Sequence, residues 1–356
     1  MAAGRISLIN NVQALRALAA LLVVSVHLKP ILERFGVPEF GGIGVDIFFV
    51  ISGFIMVYMT QARRQSPSEF AVDRITRIVP LYWLVTIVVY ILAVIAPHLL
   101  GNTSAHPLDL VKSLLFIPYV KGVGIIQPVF FLGWTLNLEM FFYVIFSMGL
   151  FFPNSRNGIA FTLISIACIV AAGQILHPPF GPILFYTQPL LLEFGAGMIL
   201  ACCFPHLPAA VPIGVRILVA ALLIAVLILV PLAGYHTPAR ALFSNSLISI
   251  GGFLAILLVA SALCLEKWGM KLDKKFILFL GSASYSIYLT HPFVTALALK
   301  LFQFKSLFQS AAGAAALVGI TYALVVLIGS TCYLLIEKRL TKWARSAGAR
   351  FKARAG

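Results

Sequence analysis

The chain has 356 residues, of which 61% are apolar and only 10% charged, with a mean hydropathy of +1.02 and a formal net charge of +15. A soluble protein of this length would need far more charge to cover its surface, so the composition excludes a soluble globular protein. It predicts an all-α fold, a polytopic bundle of transmembrane helices.

Apolar runs separated by prolines, glycines and polar residues predict about ten membrane spans, because a helix needs ~20 apolar residues to cross a bilayer. The run 110–120 is too short to cross and is predicted to be a re-entrant or interfacial segment. The first run lacks a signal-peptide cleavage site, so it is interpreted as a helix of the bundle. The predicted spans lie near residues 12–28, 44–60, 78–97, 134–152, 158–176, 182–204, 211–232, 242–263, 276–298 and 308–336.

The distribution of basic residues predicts the orientation of the chain. With both termini in the cytoplasm, seventeen of the 26 lysines and arginines fall on the cytoplasmic side and seven on the other. The positive-inside rule favours this arrangement, and contact with anionic headgroups accounts for the net charge without nucleic acid as a partner. We expect one transmembrane domain over 1–336 and a basic cytoplasmic tail, 337–356, that forms an amphipathic headgroup-binding helix in preference to a disordered segment.

Two polar residues, Arg16 and His27, interrupt the first predicted span. An arginine at the centre of a span costs ~2.5–3.5 kcal/mol, so it must either reach the headgroups or face a polar interior. The two residues are separated by about three helical turns, or ~16.5 Å of rise, so they point to the same face. They are either an interfacial arginine and histidine at opposite ends of the span or one functional stripe.

Three further ionisable residues are predicted at the same depth as His27. Asp46 opens the second span, Glu139 lies early in the fourth and His291 lies late in the ninth. A carboxylate beside a histidine fixes its tautomer and raises its basicity, so Asp46 is the predicted partner of His27 as a general base. Glu139 is predicted either to bind an acceptor hydroxyl or to pair with a basic side chain. Glu193 is interpreted as structural.

Arginines also mark the start of the third span. Arg74 and Arg77 lie one turn apart, which suits either a phosphate clamp or a positive-inside anchor. Tyr82 and Trp134 could stack on an adenine or a sugar ring, although interfacial anchoring is the commoner role of such aromatics. The five cysteines and the histidines lack metal-ligand spacing, so no metal site is predicted.

Five motifs in order make the chain resemble the acyltransferase-3 family of integral-membrane acyltransferases, most closely the branch that O-acetylates exopolysaccharides. They are "NVQALRALAALLVVSVH", "GVDIFFVISGFIM", "RITRIVPLYW", "WTLNLEMFFY" and "GSASYSIYLTHPF". The resemblance covers nearly the whole chain. It departs from the family where Ala17 replaces a common glycine and where "IEKRL" lacks a proline.

The resemblance implies a bacterial inner-membrane O-acyltransferase that moves an acetyl group from cytoplasmic acetyl-CoA to a surface carbohydrate hydroxyl, without a metal. It implies that His27 is catalytic and that Arg16 holds the donor. Our hypothesis adds Asp46 and Glu139 to the catalytic set, Arg74, Arg77 and Tyr82 to donor binding, and Trp134, Tyr285 and His291 to substrate binding. Membrane lipids, the carbohydrate acceptor and polysaccharide-assembly proteins are the expected partners.

Two other classes of protein remain open at this point. A proton-coupled transporter or flippase of a glycan precursor also carries buried arginine, histidine and acidic residues. A non-catalytic scaffold would tolerate replacement of His27.

Overall fold

Helices form every long element of the structure, a computed structural model that describes residues 9–100, 103, 105–121, 124–179, 181–232 and 250–355. Within these ranges there is no β-strand, only one isolated antiparallel bridge between Val120 and Ile126. The helices are α1 (Asn10–His27), α2 (Lys29–Arg34), α3 (Ile43–Ala62), α4 (Pro67–Ile95), α5 (Pro107–Leu114), α6 (Gly133–Gly149), α7 (Ser155–Leu176), α8 (Pro182–Tyr186), α9 (Leu191–Cys203), α10 (Ile213–Leu232), α11 (Ile250–Lys267), α12 (Lys275–Phe304), α13 (Ala311–Cys332) and α14 (Lys338–Ala355).

The chain divides into two compact units. The first contains Met1–Ala62 and Glu193–Tyr333, and the second contains Arg63–Leu192 and Leu334–Gly356. Helices α1 to α3 and α9, from Glu193 onward, to α13 therefore belong to the first unit. Helices α4 to α8 and α14 belong to the second.

Six helical stretches of the described chain are long and apolar enough to cross a membrane, so this is a helical membrane protein. The predicted spans that correspond to α1, α6, α10 and α12 are not among the six. Of these, α10 is a shorter apolar helix, and the other three carry the polar candidate residues. The count of ten spans therefore stays a prediction. The six stretches are Ile43–Ala62, Pro67–Ile95, Ser155–Leu176, Pro182–His206, Ile250–Lys267 and Ala311–Ser346.

The third predicted span is part of a longer helix that begins at Pro67. The Ser66 hydroxyl accepts a hydrogen bond from the Glu69 backbone N–H at 3.2 Å, and the Glu69 carboxylate accepts one from the Ser66 N–H at 3.0 Å. This capping box satisfies two backbone donors and explains the earlier start.

Two other predicted spans also differ from the observed helices. The span 182–204 is interrupted, because α8 ends at Tyr186 and α9 begins at Leu191 with Pro189 between them. For the span 242–263, the structure describes helix only from Ile250, and 242–249 lie outside the described residues.

The short segment between α4 and α6 forms α5, which presents apolar side chains to the exterior. Leu108, Val111 and Leu115 are each at least half exposed and follow helical spacing. An exposed apolar stripe is what an interfacial segment presents to lipid. On the other side of α5, the buried Ser113 accepts a hydrogen bond from the Val129 N–H at 2.8 Å, which ties the segment to the start of α6.

In the first unit, glycines let α1 approach its two neighbours closely. A methyl group at Gly44 of α3 would overlap the backbone carbonyl of Ala19, and one at Gly281 of α12 would overlap that of Gln13. Small residues at helix contacts allow the backbones to pack closely where no hydrophobic effect drives association. The glycines thus set the distances between α1, α3 and α12.

The N-terminus of α1 is capped by a residue far away in the sequence. Ile9, which precedes the helix, has no side chain that could cap it. Instead the Glu266 carboxylate of α11 accepts from the Asn11 backbone N–H at 2.9 Å and from the Asn10 N–H at 3.3 Å. The Asn11 carboxamide makes three more hydrogen bonds, to the Ala262 and Met270 carbonyls and from the Leu272 N–H. These bonds fix α1 along its axis.

The connection from α1 to α3 is closed by an ion pair beside His27. Lys29 Nζ lies 3.1 Å from the Glu39 carboxylate, whose side chain is only 4% exposed. The hydrogen bond and the charge of Glu39 raise the pKa of Lys29 above its usual range. This ion pair therefore fixes the segment that follows α1, and the Glu266 carboxylate fixes the start of the helix.

In the second unit, α4 and α6 pack with their directions reversed. Phe70, near the start of α4, contacts Tyr143 and Phe146 near the end of α6, whereas Tyr82 lies against Gly133 at the start of α6. Helix α14, the predicted basic tail, packs against α4 in the same unit. Its binding to headgroups stays a prediction.

Candidate active site

Arg16 lies in the interior of the first unit and does not project from its surface. It is partly buried, and its guanidinium Nη2 donates a hydrogen bond to the hydroxyl of Ser284 on α12 at 3.0 Å. Ser284 itself is fully buried. Arg16 therefore contacts a buried polar residue of α12. Of its two predicted positions, at the lipid headgroups or facing a polar interior, this contact favours the second.

His27 lies against a second histidine. Its ring centroid is 5.1 Å from that of His291 on α12, with the two planes inclined by 39°. His291 is fully buried, and the ring of Tyr288, one turn earlier on α12, lies 5.9 Å from it. The structure therefore brings two of the predicted site residues together within one unit.

A proline follows the buried histidine of α12. Pro292 lies inside the helix and has no N–H, so the carbonyl of Tyr288 lacks its usual helical donor. The ring of His291 lies next to this carbonyl and that of Ile287. Both ring nitrogens of His291 are nevertheless buried without a hydrogen bond to any residue that the structure describes.

Asp46 has a partner that sequence reasoning did not assign to it. It is fully buried in the first turn of α3, and its carboxyl group lies within hydrogen-bonding reach of Glu193 in the first turn of α9. Glu193 is 5% exposed. The predicted contact between Asp46 and His27 stays a prediction.

The contact between Asp46 and Glu193 depends on close packing of α3 against α9. A methyl group at Gly53 would overlap the carbonyl of Phe194, and one at Gly197 would overlap the carbonyl of Val50. The rings of Phe49 and Phe194 lie 4.6 Å apart between the two helices. The acidic pair therefore lies at the start of a tight helix contact.

In the second unit, the arginine pair on α4 is only partly exposed. Arg74 is 8% exposed, and its guanidinium lies 5.8 Å from the centre of the Phe70 ring. The Nε of Arg74 makes no hydrogen bond to any residue that the structure describes. Arg77, one turn on, is half-buried. A guanidinium with an unused donor suits a phosphate ligand.

The remaining predicted residues have mixed surroundings. The Tyr143 hydroxyl donates to the Glu139 carboxylate one turn earlier on α6. Tyr82 is fully buried, stacks on Phe116 with centroids 4.9 Å apart and donates to the Ser113 carbonyl at 3.2 Å, so packing alone accounts for it. Trp134 and Tyr285 are half-buried. Their substrate contacts stay predictions.

Sequence reasoning did not single out Asn137. This residue of α6 is 1% exposed, and neither its Oδ1 nor its Nδ2 forms a hydrogen bond with the described part of the chain. An amide buried without partners costs ~1–3 kcal/mol, so such groups are usually retained for a reason other than stability. The signal in the sequence was an asparagine within an apolar run, one turn after Gly133.

No group of three or more histidine, cysteine, aspartate or glutamate side chains in the described ranges could hold a metal ion. None of the five cysteines, all of which lie in the described ranges, forms a disulfide.

The structure thus places a partly buried arginine and a histidine pair along one helix contact of a helical membrane protein. This chain belongs to the acyltransferase-3 family, whose acyltransferase domain matches residues 9–333. The match contains α1 to α13 and ends before α14.

Two proteins similar to this chain have names that state a process or an activity. The exopolysaccharide production protein ExoZ of Rhizobium meliloti (strain 1021) is 36% identical over 319 residues, which cover 86% of this chain and 91% of that protein. The peptidoglycan O-acetyltransferase OatA of Listeria monocytogenes is 29% identical over 153 residues, 38% of this chain and 23% of that protein. No solved structure matches the chain.

Proposed function

We propose that this protein is a transmembrane O-acyltransferase that moves an acetyl group from cytoplasmic acetyl-CoA to a hydroxyl of an exopolysaccharide or another surface carbohydrate. The observation that carries the proposal is the placement of Arg16 and His27 along α1, against Ser284 and His291 of α12. A partly buried cation and a partly buried imidazole on one helix contact suit an anionic donor and a proton transfer.

The proposed reaction needs a general base, and His27 at the end of α1 is the residue that we assign to this role. His27 removes the proton of the acceptor hydroxyl as its oxygen attacks the thioester carbonyl carbon. The carbon–sulfur bond then breaks, and the proton passes from His27 to the leaving thiolate. Asp46 orients His27, and Tyr285 and serine hydroxyls near His291 stabilise the oxyanion. An acetyl-histidine intermediate would use the same residues.

We assign the binding of the donor, acetyl-CoA, to three arginines. The phosphates of the coenzyme are negatively charged, and Arg16, Arg74 and Arg77 are the buried or half-buried arginines that we assign to the donor. We assign Glu139 and Trp134 to the acceptor side of the reaction. The name of the first relative supports an exopolysaccharide acceptor, and that of the second supports transfer of an acetyl group to oxygen.

The proposed setting is the bacterial inner membrane, with ten spans and both termini in the cytoplasm. The excess of lysine and arginine on the cytoplasmic side of that topology supports this orientation. A slim thioester arm can be presented through a polar path in the bundle, whereas a charged polymer cannot cross hydrocarbon.

Label transfer tests the proposal directly. Purified protein in lipid vesicles is mixed with labelled acetyl-CoA and a polysaccharide or lipid-linked oligosaccharide acceptor, and the acceptor is then isolated. Labelled ester, released by mild alkali, is the expected product. Acceptor that crosses the vesicle membrane without acquiring label would instead support the transporter class.

Replacing Arg16 by alanine should weaken donor binding with little change in fold. A hydrogen bond to a charged group is worth ~1.5–3 kcal/mol, so we expect the dissociation constant for coenzyme A to rise roughly ten- to a hundredfold. Titration calorimetry measures it. Arg156→Ala, at an exposed arginine near the start of α7, is the control. An Arg16→Ala protein with the wild-type constant would remove Arg16 from the donor site.

Asn137→Leu should make the protein more stable and less active. Leucine fills a similar volume without the buried amide, so unfolding should cost ~1–3 kcal/mol more. Asn11→Leu is the matched control, since that carboxamide makes three hydrogen bonds and its loss should lower stability. Thermal unfolding and label transfer measure the two effects. Full activity in Asn137→Leu would mean that the carboxamide has no part in binding.

A further inference from the structure

Three helices of the first unit begin or end at one place. The Glu266 carboxylate, near the end of α11, accepts from the backbone N–H groups at the start of α1. In the connection from α11 to α12, the Asp273 carboxylate accepts from the Asn10 carboxamide. The Asn11 carboxamide bonds to two backbone groups of the same connection. The connection 268–274 is therefore fixed against the start of α1.

Exposed basic side chains follow one another in this connection and at the first residue of α12. Lys271, Lys274 and Lys275 are exposed, and none of them forms an ion pair with a residue in the described ranges. The two acidic side chains nearest in the sequence, Glu266 and Asp273, are occupied by their hydrogen bonds to α1. The end of the unit where α1 and α12 begin is therefore positively charged and accessible from the solvent.

Helices α1 and α12 run parallel from this end towards the histidine pair. They meet first at Gln13 and Gly281, then at Arg16 and Ser284, and last at the two histidine rings. Lys275 precedes Ser284 by nine residues, which is a rise of ~13.5 Å in an α-helix. The lysines, Gln13 and Arg16 are therefore arranged in this order along one helix contact.

The residue between the lysines and Arg16 has an unused hydrogen-bond acceptor. Gln13 is 7% exposed, and its Oε1 accepts no hydrogen bond from any residue that the structure describes. It lies about one helical turn nearer to the start of α1 than Arg16 does. A buried amide oxygen without a donor is destabilising, so a ligand that supplies an N–H or O–H group at this position gains affinity.

We propose that the nucleotide part of acyl-CoA binds where α1 and α12 begin, with its phosphates at the three lysines and its adenine or ribose at Gln13. This inference rests on the proposed function, in which Arg16 binds the same donor. Exposed ammonium groups attract the negative phosphates, and the amide oxygen of Gln13 accepts from an adenine N–H or a ribose O–H. The pantetheine arm then extends past Arg16 along α1 towards His27.

Replacing Lys274 and Lys275 by glutamine tests the charged part of the site. The probe is adenosine 3′,5′-diphosphate, the nucleotide end of coenzyme A without its pantetheine arm, and titration calorimetry in phosphatidylcholine nanodiscs measures its binding. The dissociation constant should rise roughly tenfold, because each exposed ion pair contributes only a few-fold to affinity. The difference from wild type should shrink as salt is added. Adding Lys271→Gln should raise the constant further.

The same helix provides a control of equal charge. Lys300 and Lys305 are exposed lysines at the other end of α12. The variant Lys300→Gln/Lys305→Gln also loses two positive charges, but it should bind the nucleotide with the wild-type dissociation constant. An unchanged constant in Lys274→Gln/Lys275→Gln would overturn the proposal. So would an equal loss in both double variants, because net charge alone would then account for the effect.

Gln13→Leu tests the buried part of the site. It should weaken binding of the nucleotide roughly three- to tenfold, because one neutral hydrogen bond is lost, while pantetheine should bind as it does to wild type. Thermal unfolding checks that the variant is folded. Unchanged binding of the nucleotide, or weaker binding of pantetheine alone, would place the nucleotide away from Gln13 and contradict the proposal.

The headgroup of an anionic lipid is another source of phosphate at this end of the unit. Wild type and Lys274→Gln/Lys275→Gln are therefore also compared in nanodiscs with and without phosphatidylglycerol. If this lipid stabilises only the wild type while both proteins bind the nucleotide equally, the lysines bind headgroups and the proposal is wrong. If wild type binds the nucleotide through the lysines but transfers no label, the proposed function fails and the nucleotide site remains.

Discussion

Replacing His27 by alanine should abolish acyl transfer while leaving the protein folded. A positioned general base contributes about 10²–10⁴-fold to rate, and a covalent role would add to that loss. The side chain is the only part removed, and its ring contacts His291 in the interior of the first unit. Label transfer to the acceptor, followed over time with excess acetyl-CoA, measures the effect.

The control for this experiment is another histidine of the same unit. His206 is exposed, so His206→Ala should transfer label at the wild-type rate. Equal rates in wild type and His27→Ala, at equal protein and with equal unfolding temperatures, would remove His27 from catalysis. Equal rates would instead favour a non-catalytic scaffold as the class of this protein.

Replacing Gly197 by alanine should destabilise the protein severely. The added methyl group would overlap the carbonyl oxygen of Val50, a backbone atom that cannot rotate away. Overpacking of this kind costs about 1–3 kcal/mol or more, a large share of the stability of a typical domain. The midpoint of thermal unfolding in detergent and the yield of folded protein measure it.

Another glycine provides the matched comparison. Gly319 of α13 has no heavy atom within 4 Å of the position that a methyl group would take. Gly319→Ala should therefore be neutral or more stable by ~0.5–1 kcal/mol, because alanine favours helix. If Gly197→Ala unfolded at the same temperature as Gly319→Ala, the tight contact between α3 and α9 would not exist as described.

Local periodicity predicted the polar face of α1 from the sequence. The helical repeat places Arg16 and His27 on one side whatever the neighbours are. Their partners Ser284 and His291 are more than 260 residues away, yet His291 could be anticipated because its segment is polar within an apolar run. Apolar runs in the sequence predicted spans at α1, α6 and α12, which are not among the six stretches long and apolar enough to cross a membrane; α6 has only 17 residues.

The partner of Asp46 could not be predicted in this way. Depth in the membrane predicted a contact between Asp46 and His27, which stays a prediction, and Glu193 was interpreted as structural. Helix contacts decide which groups at similar depth meet, and here Gly53 and Gly197 bring α3 and α9 together. A single sequence identifies glycines but not which helix each one faces. Asn137 was missed because an unpaired amide is visible only once its neighbours are known.

The cap that Glu266 provides to α1 limits which sequence changes in this helix the protein can tolerate. Because hydrogen bonds at the start of the helix fix its register, the heights of Arg16 and His27 are set from one end. A substitution along α1 keeps this register but affects packed neighbours, because no residue of the helix is exposed. An insertion of one residue between Asn11 and Arg16, by contrast, would rotate the guanidinium and the imidazole away from α12 together.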